Sequence, residues 1–413
     1  MEKILNKKKI FNDPVYGFIT IKSDLIYDII QHPYFQRLRR IKQLGMADYV
    51  YPGAIHTRFH HALGAMHLMG EALNHLQTKG VYLFEAEVEG ALIAILLHDI
   101  GHGPFSHALE HSILTNVHHE DISTLLMERL NEEFEGRLDL AIQIFKKEYS
   151  RPFLGQLVSS QLDIDRMDYL QRDCYFTGVN EGAIGAERII KMLNVVDNNM
   201  VVEEKGVFSV ENFLNARRLM YWQVYLHKTS ISAEQMLILI FKRAKHLVNK
   251  GVSLSASPAL QLFLKNEIGL EEIKSNPKYL EKFARLDDYD VWGAVKLWVD
   301  EEDKVLSHLC ESLLRRDLFK IELTNEPFSE EKIEQLKLAI QEKFGLSEED
   351  STFMYSLGEV TNEAYMSNSE GINILTKTGE IIDVAQASDL PNIKAISKLV
   401  TKHYLCSSKS LSL

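Results

Sequence analysis

The stretch LLHDIGHGPFSH, residues 96–107, puts three histidines and an aspartate into twelve positions directly behind the apolar run ALIAILL (91–97). An apolar run of that kind reads as a buried helix. On a helix, His98 and His102 stand about 40° apart and share a face. Asp99 lies on the flank. Gly101 and Gly103 loosen the helix end, and Pro104 forbids its continuation. Imidazoles and a carboxylate therefore project from the mouth of a helix into a pocket. An ionised carboxylate there is costly unless a cation compensates it. A divalent metal is the simplest compensator, and this donor set suits Mn, Fe, Zn or Ni better than Mg.

The neighbourhood supports that. Eleven of the sixteen histidines fall between His56 and His119, where even spreading would put about two or three. HTRFHHALG (56–64) begins a second helical run with His56, His60 and His61. LDIDRMDYLQRDC (162–174) is an acidic helix carrying Asp163, Asp165, Asp168 and Asp173. A single histidine is ordinarily a satisfied core or surface group, and an acidic run is ordinarily a solvated face. Side by side, they become sources of further ligands. His56, His60 and His111 read as structural or surface groups. His67 and His75 read as outward-facing or capping.

The rest of the composition sets bounds. The 413 residues are 46% hydrophobic and 25% charged, the profile of a globular protein. A net charge of −12 leaves no electrostatic footprint for general nucleic-acid or anionic-membrane binding. Cys174, Cys310 and Cys406 are scattered, with no CxxC pair, which fits a reducing compartment. The N-terminus lacks an apolar signal core, and the apolar runs are too short to span a bilayer. The expected location is cytoplasmic.

Periodicity predicts a mainly α fold: a large helical core with a small α+β C-terminal lobe. Residues 8–22 read as a strand pair. Helical spacing follows over 23–45, 85–98, 119–134, 159–174, 209–230 and 232–249. After about residue 316 the character changes. FKIELT (319–324) reads as a strand, 329–345 as a helix stopped by glycine, 372–385 as a hairpin turning near Lys377-Thr378-Gly379, and 391–405 as a final helix. The expected domains are 1–315, catalytic, and 316–413, regulatory or oligomer-forming.

In the order His61 … His98-Asp99 … Asp165, the chain resembles the metal signature of the HD-domain phosphohydrolases. FNDPVYGFI, FQRLRRIKQLG, YPGAIHTRFHHALG, LLHDIGHGPFSHALE, HHED, DIDRMDYLQRDCYFTG and YLHK, in that order, resemble more closely the deoxynucleoside triphosphate (dNTP) triphosphohydrolases. The best-known vertebrate member of that group carries a SAM domain; the resemblance here starts at the catalytic core. It implies an HD-domain helical fold and hydrolysis of dNTPs to deoxynucleoside and inorganic triphosphate. It implies that His61, His98, Asp99 and Asp165 hold one divalent cation (Mn, Mg or Fe), with a second Mg or Mn accompanying the triphosphate. His119, paired with Glu120, would protonate the leaving 5′-oxygen; His118 is the alternative acid. His102 and His107 would line the α-phosphate region, with Glu110 behind. Arg58, Arg166 and Lys228 would meet the triphosphate, although a structural pairing of Arg58 with Glu110 or Asp99 is the plainer alternative. Gln43, Leu44, Tyr169 and Asp173 would contact the sugar, and Tyr225 would crowd its 2′ position. For both tyrosines, core packing competes.

The chemistry agrees with these residue types. Fixed cations stabilise charge developing on phosphate, and arginine offers it a planar fork. An imidazole, with an ordinary pKa of about 6.5, suits proton donation to an alkoxide at neutral pH. The vertebrate relative is assembled into a tetramer by activating nucleotides, so the resemblance also implies self-association, as a homotetramer or a dimer. Lys9, Ile10, Gln36 and Arg39 match its first activator site. Gln31 stands where that relative has a guanine-selecting aspartate, so dATP is expected as activator in preference to GTP. Arg188, Lys205 and Arg217 are weaker candidates for a second activator site. The competing functions are an HD phosphohydrolase acting on another nucleotide phosphoester, and a nucleic-acid-binding nuclease using the same metal.

Overall fold

The computed structural model describes residues 9–106, 109, 112–362, 365, 371–389 and 399–411. The fold is mainly α, a helical core with small sheets around it. Two helices form its centre. Arg58–Thr78 is rich in Ala, Leu and Met and contains no proline. Ala62, Ala65, Met69, Ala72 and Leu76 on it are fully buried. Glu85–Leu97 begins with a side-chain cap, the Phe84 N–H donating to Glu87 at 2.9 Å. From Ala91 onward it is apolar almost all round, because neighbours cover it on every side. Each fully buried Leu or Ile there contributes roughly 1.5–3 kcal/mol.

Ile164–Thr177 packs across the first of these helices. Its first turn is set by Asp163, whose carboxylate accepts the N–H groups of Arg166 and Ser160, both at 2.7 Å. The sequence expectation of a helix from 159 is therefore corrected. Capping by Asp163 turns 159–163 into the approach to the helix. Gly178, at φ 74°, closes its other end.

Strands β1 (Lys9–Asp13) and β2 (Gly17–Ile21) pair antiparallel, as expected, with Lys9 opposite Ile21. The helical run expected over 23–45 is real only in pieces, since Pro33 breaks it after Asp24–Gln31. A second antiparallel pair, β3 (Leu193–Val196) and β4 (Asn199–Glu203), interrupts the helices unannounced. The expected helix 209–230 is Val207–Met220, followed by a π-helical turn at Tyr221–Tyr225. His227 then caps a separate helix, Lys228–Asn249, its Nδ1 accepting the Thr229 N–H at 3.1 Å.

The C-terminal segment contains β5 (Lys320–Thr324), the helix Glu330–Phe344, β6 (Tyr355–Thr361), β7 (Asn373–Leu375), β8 (Ile381–Asp383) and β9 (Thr401–Ser407). Gly345, at φ 62°, stops the helix as expected. The expected helix 391–405 is corrected: residues 391–398 lie outside the described residues, and 401–405 belong to β9. That strand is held by antiparallel partners on both sides, β5 and β6. β7 joins β4 in parallel, so one sheet, β3-β4-β7-β8, combines strands from residues 193–203 and 373–383. No described helix is long and apolar enough to cross a membrane.

Candidate metal centre and nucleotide cavity

Three elements bring the expected ligands together. His61 comes from the first turn of Arg58–Thr78, His98 and Asp99 from the end of Glu85–Leu97, and Asp165 from the first turn of Ile164–Thr177. His61 Nε2 lies 3.3 Å from His98 Nε2 and 3.0 Å from Asp165 Oδ1. His98 Nε2 lies 3.3 Å from Asp165 Oδ1 and 3.4 Å from Asp99 Oδ1. Donors held about 2.1 Å from one ion stand about 3.0–3.4 Å apart, for right-angled to tetrahedral arrangements. The tautomers agree with that spacing. His61 Nδ1 faces Asp168 Oδ2 at 2.8 Å, and His98 Nδ1 faces the Ile95 carbonyl at 2.6 Å. Both partners accept only, so each Nδ1 carries the proton and each Nε2 presents a lone pair to the cluster. Converging lone pairs and carboxylates fit a cation. His61, His98 and Asp99 form a group able to hold a metal ion.

The local field points the same way. Burial opposes charge on His61, but hydrogen bonds to Asp165 and Asp168 outweigh it and push its pKa up to about 10. His98 is raised too, against burial, by the Asp99 and Asp165 carboxylates. Asp99 and Asp165 are held below the usual carboxylate range in spite of burial, Asp99 by His98 and Arg58, and Asp165 by His98 and His61. The cluster favours positive charge, which a divalent cation supplies without protonating an imidazole.

Behind these side chains lies a layer of which the sequence reading named only Asp168, and that as a candidate ligand source. Asp168 orients His61 and is gripped by Arg172, Nε to Oδ2 at 2.9 Å and Nη2 to Oδ1 at 3.0 Å. Arg172 Nη1 reaches on to Asp13 of the first hairpin at 2.7 Å. Burial raises Asp168, but the Arg172 charge and the His61 hydrogen bond bring it down to about 2. Gly64 makes room for this pair, since a Cβ there would lie 2.0 Å from Arg172 Nη2. The i,i+4 spacing of Asp168 and Arg172 was the available signal. Ser123 ties the HD turn to the next helix: its Oγ donates to the His98 carbonyl at 2.7 Å and accepts the Gly101 N–H at 3.0 Å. Arg37, fully buried, donates to the carbonyls of Leu286, Ile100 and His102.

A cavity of about 520 Å³ opens beside the cluster, lined by Gln43, Leu44, Arg58, Asp99, His102, His119, Glu120, Asp165, Arg166, Tyr169, Asp173 and Tyr225, among others. Almost the whole expected substrate set is thus in one place. Arg58 is buried, its Nη1 paired with Asp99 and its Nη2 donating to Ser106 Oγ at 2.7 Å. Ser106 (φ 49°) and Phe105 (φ 55°) both adopt the left-handed region, a strained turn held by Asp288, which accepts the Phe105 N–H at 2.9 Å. Arg166 pairs with Asp163. His119 stacks on His102, ring centroids 3.8 Å apart and 18° from parallel, while His118 is exposed. Burial and the Arg58 charge hold His102 well below the ordinary imidazole value, so it is neutral at pH 7. Asp173 accepts from the Tyr225 hydroxyl at 2.8 Å and faces His56 Nε2 at 2.7 Å. His56 is therefore a buried partner of the cavity wall.

Other expectations fall elsewhere. Lys228 begins its helix with an exposed side chain and is not among the lining residues. His107, Glu110 and His111 lie outside the described residues. Gln36 and Arg39 sit beside the end of Asp24–Gln31: Gln36 Nε2 donates to the Ile30 carbonyl at 2.7 Å, and Arg39 Nε donates to Gln36 Oε1 at 2.9 Å. Lys9 lies over the Tyr27 ring of the same helix. Ile10 and Gln31 are exposed. Arg188 and Lys205 are exposed, whereas Arg217 is buried, donating to Gln161 and acting electrostatically on Tyr169. Arg217 thus belongs to the surroundings of the cavity.

Helical hydrolase cores that gather His, His-Asp and Asp around one metal define the HD class, and the HD-domain family profile matches residues 58–173, with an HD-associated region over 184–255. A crystal structure described as a phosphohydrolase from Bacteroides thetaiotaomicron is 53% identical and superposes with a TM-score of 0.94, covering 98% of this chain and 100% of that one. The uncharacterized protein YwfO of Bacillus subtilis is 33% identical over 98% of this chain and 94% of its own length. The deoxynucleoside triphosphate triphosphohydrolase SAMHD1 of Gallus gallus is 28% identical over 78% of this chain, which spans 62% of that relative. The chain belongs to the HD-domain phosphohydrolases, with dNTP triphosphohydrolases among its homologues.

Proposed function

We propose that this protein hydrolyses dNTPs to deoxynucleoside and inorganic triphosphate, by attack of water on the α-phosphorus. The observation that carries it is Asp173, braced by Tyr225 and His56 in the same cavity as the His61, His98, Asp99 and Asp165 cluster. A hydrogen-bonding carboxylate between two aromatic side chains suits a sugar hydroxyl, and the metal cluster with Arg58 and Arg166 suits the phosphates. His61, His98, Asp99 and Asp165 would hold the cation, which when bound polarises a phosphoryl group and acidifies water. Arg58 and Arg166 bind and orient phosphate oxygens. Neutral His102 donates a hydrogen bond near the α-phosphate. His119, stacked on it, gives a proton to the leaving 5′-oxygen, and Glu120, 3.4 Å from His119 Nε2, orients that imidazole. Tyr225, tied to Asp173, crowds the 2′ position and disfavours ribose. SAMHD1 relatives add support.

The chain would work in the cytoplasm as a self-associating enzyme, a tetramer or a dimer, with residues 316–413 in regulation or assembly. Its activator would bind around Lys9, Gln31, Gln36 and Arg39 and would be dATP in preference to GTP; strong stimulation of turnover by GTP would refute that choice. The main test incubates purified protein with each dNTP and Mn²⁺ or Mg²⁺ and separates the products by ion chromatography. Triphosphate with deoxynucleoside is expected. Pyrophosphate with monophosphate, or no turnover, would reject the assignment.

A further inference from the structure

One wall of the cavity carries polar groups with no hydrogen-bond partner among the described residues. Ser230 is 2% exposed, and its hydroxyl has no hydrogen-bond partner among the described residues. The buried Gln43 Oε1 has none either. Glu234, half-buried, lines the same cavity and makes no hydrogen bond or ion pair with any described residue. Burial alone pushes its carboxyl up to about 7. Ser230 and Glu234 are one turn apart on Lys228–Asn249, so their side chains share a face. The Gln43–Gly45 turn closes over that face: a Cβ on Gly45 would lie 3.6 Å from Glu234 Oε1.

Polar groups left unpaired in a native interior are costly, and a ligand that pairs them recovers that cost. These groups are mostly acceptors: two carboxyl oxygens, an amide oxygen and a hydroxyl. The cavity's arginines, Arg58 and Arg166, already face Asp99 and Asp163. Once Glu234 ionises, above its raised value of about 7, this acceptor-rich wall repels phosphate oxygens and suits a planar group with N–H donors. Adenine, guanine and cytosine each present an exocyclic amino group, whereas thymine presents one ring N–H between two carbonyls.

We infer that Glu234, assisted by Ser230, reads the base of the bound nucleotide and selects amino-bearing bases over thymine. The inference rests on the dNTP assignment above. A thymine would leave the wall's acceptors facing its own carbonyl oxygens, and such mismatches discriminate strongly.

The test is competition among the four dNTPs in one mixture with Mn²⁺, buffered well above pH 7 so that Glu234 is ionised, following the four deoxynucleosides by chromatography. Relative rates in a mixture do not depend on how much of the enzyme is active, so partial misfolding of a variant cancels. Wild type is expected to consume dTTP at least about tenfold more slowly than the others, the discrimination of one good hydrogen-bonded pair. Glu234→Leu should raise the relative rate on dTTP about tenfold, and Ser230→Ala should shift it less, in the same direction. A wild type indifferent to thymine, or variants whose relative rates stay within about twofold, would overturn the role of Glu234 while leaving the triphosphohydrolase intact. If Glu234→Leu has no activity, Ser230→Ala decides by the same ratio. No deoxynucleoside from any dNTP with the wild type would overturn the dNTP assignment and this inference together.

Discussion

At the scale of single residues, the candidate metal cluster is ordered because each donor is held by something behind it. Asp168 and the Ile95 carbonyl fix the two imidazole tautomers, so His61 and His98 aim lone pairs at the same point. Such partners tune a metal site nearly as much as the ligands do. His98→Ala or Asp165→Ala should remove both bound metal and turnover; metal retained with full turnover in either variant would mean a different ligand set. His119→Ala should keep its metal, measured by elemental analysis, and turn over about 10²–10⁴-fold more slowly, the range for loss of a general acid. Glu234 adds a pH signature. Its carboxyl is raised from 4.5 to about 7 in the folded protein, so the folded state holds a proton that the unfolded state has lost. Stability therefore falls as pH rises between those values. Relative to wild type, Glu234→Gln should gain melting temperature progressively from pH 4.5 to 7 and hold a constant advantage above it. A difference that does not change with pH would place the carboxyl in solvent.

At the scale of elements, the site depends on how helices end. The Glu85–Leu97 helix stops just before His98 and Asp99, and the turn that follows is pinned by Ser123 and Arg37. That pinning sets the approach of the HD turn to the His119 helix, and so the stacking of His102 on His119. Gly101 permits it, since a Cβ there would lie 2.2 Å from the His119 carbonyl and 2.3 Å from the Ser123 nitrogen. Gly101→Ala should cost about 1–3 kcal/mol, typical of overpacking, seen as a lower melting temperature, and should lower turnover by more than the unfolded fraction explains. Unchanged melting and turnover would mean that the two segments separate at no cost. The π-helical turn at Tyr221–Tyr225 is a second such device, delivering the Tyr225 hydroxyl to Asp173.

At the scale of the whole molecule, the cluster joins three helices that are distant in sequence, so a bound cation cross-links the core. A metal present at about a hundred times its Kd stabilises the folded state by about 2.7 kcal/mol. Treatment with EDTA should lower the melting temperature, and added Mn²⁺ should restore it. No shift would mean that the cluster binds no metal in the folded protein. The C-terminal segment is stitched to the core through the shared sheet and through Arg243, which pairs with Asp303 and, at 2.6 Å, with Asp350. Distortion in residues 316–413 can therefore reach the helices around the cavity.

Periodicity, capping residues and ordered motifs were enough to find the helical class, the ends of Glu85–Leu97 and Glu330–Phe344, and four side chains, His61, His98, Asp99 and Asp165, that the fold brings close together. Those signals span a few residues along one chain direction, and local physics decides them. The sequence alone did not yield β9 as a strand, because its conformation depends on β5 and β6, whose residues lie some 80 and 50 positions away. Nor did it yield the bracing of Asp13 by Arg172, the burial of Arg217, or the wall of Ser230 and Glu234, unpartnered among the described residues. Side-chain partners and cavity walls arise only when distant segments close on one another, and that closure belongs to the tertiary structure.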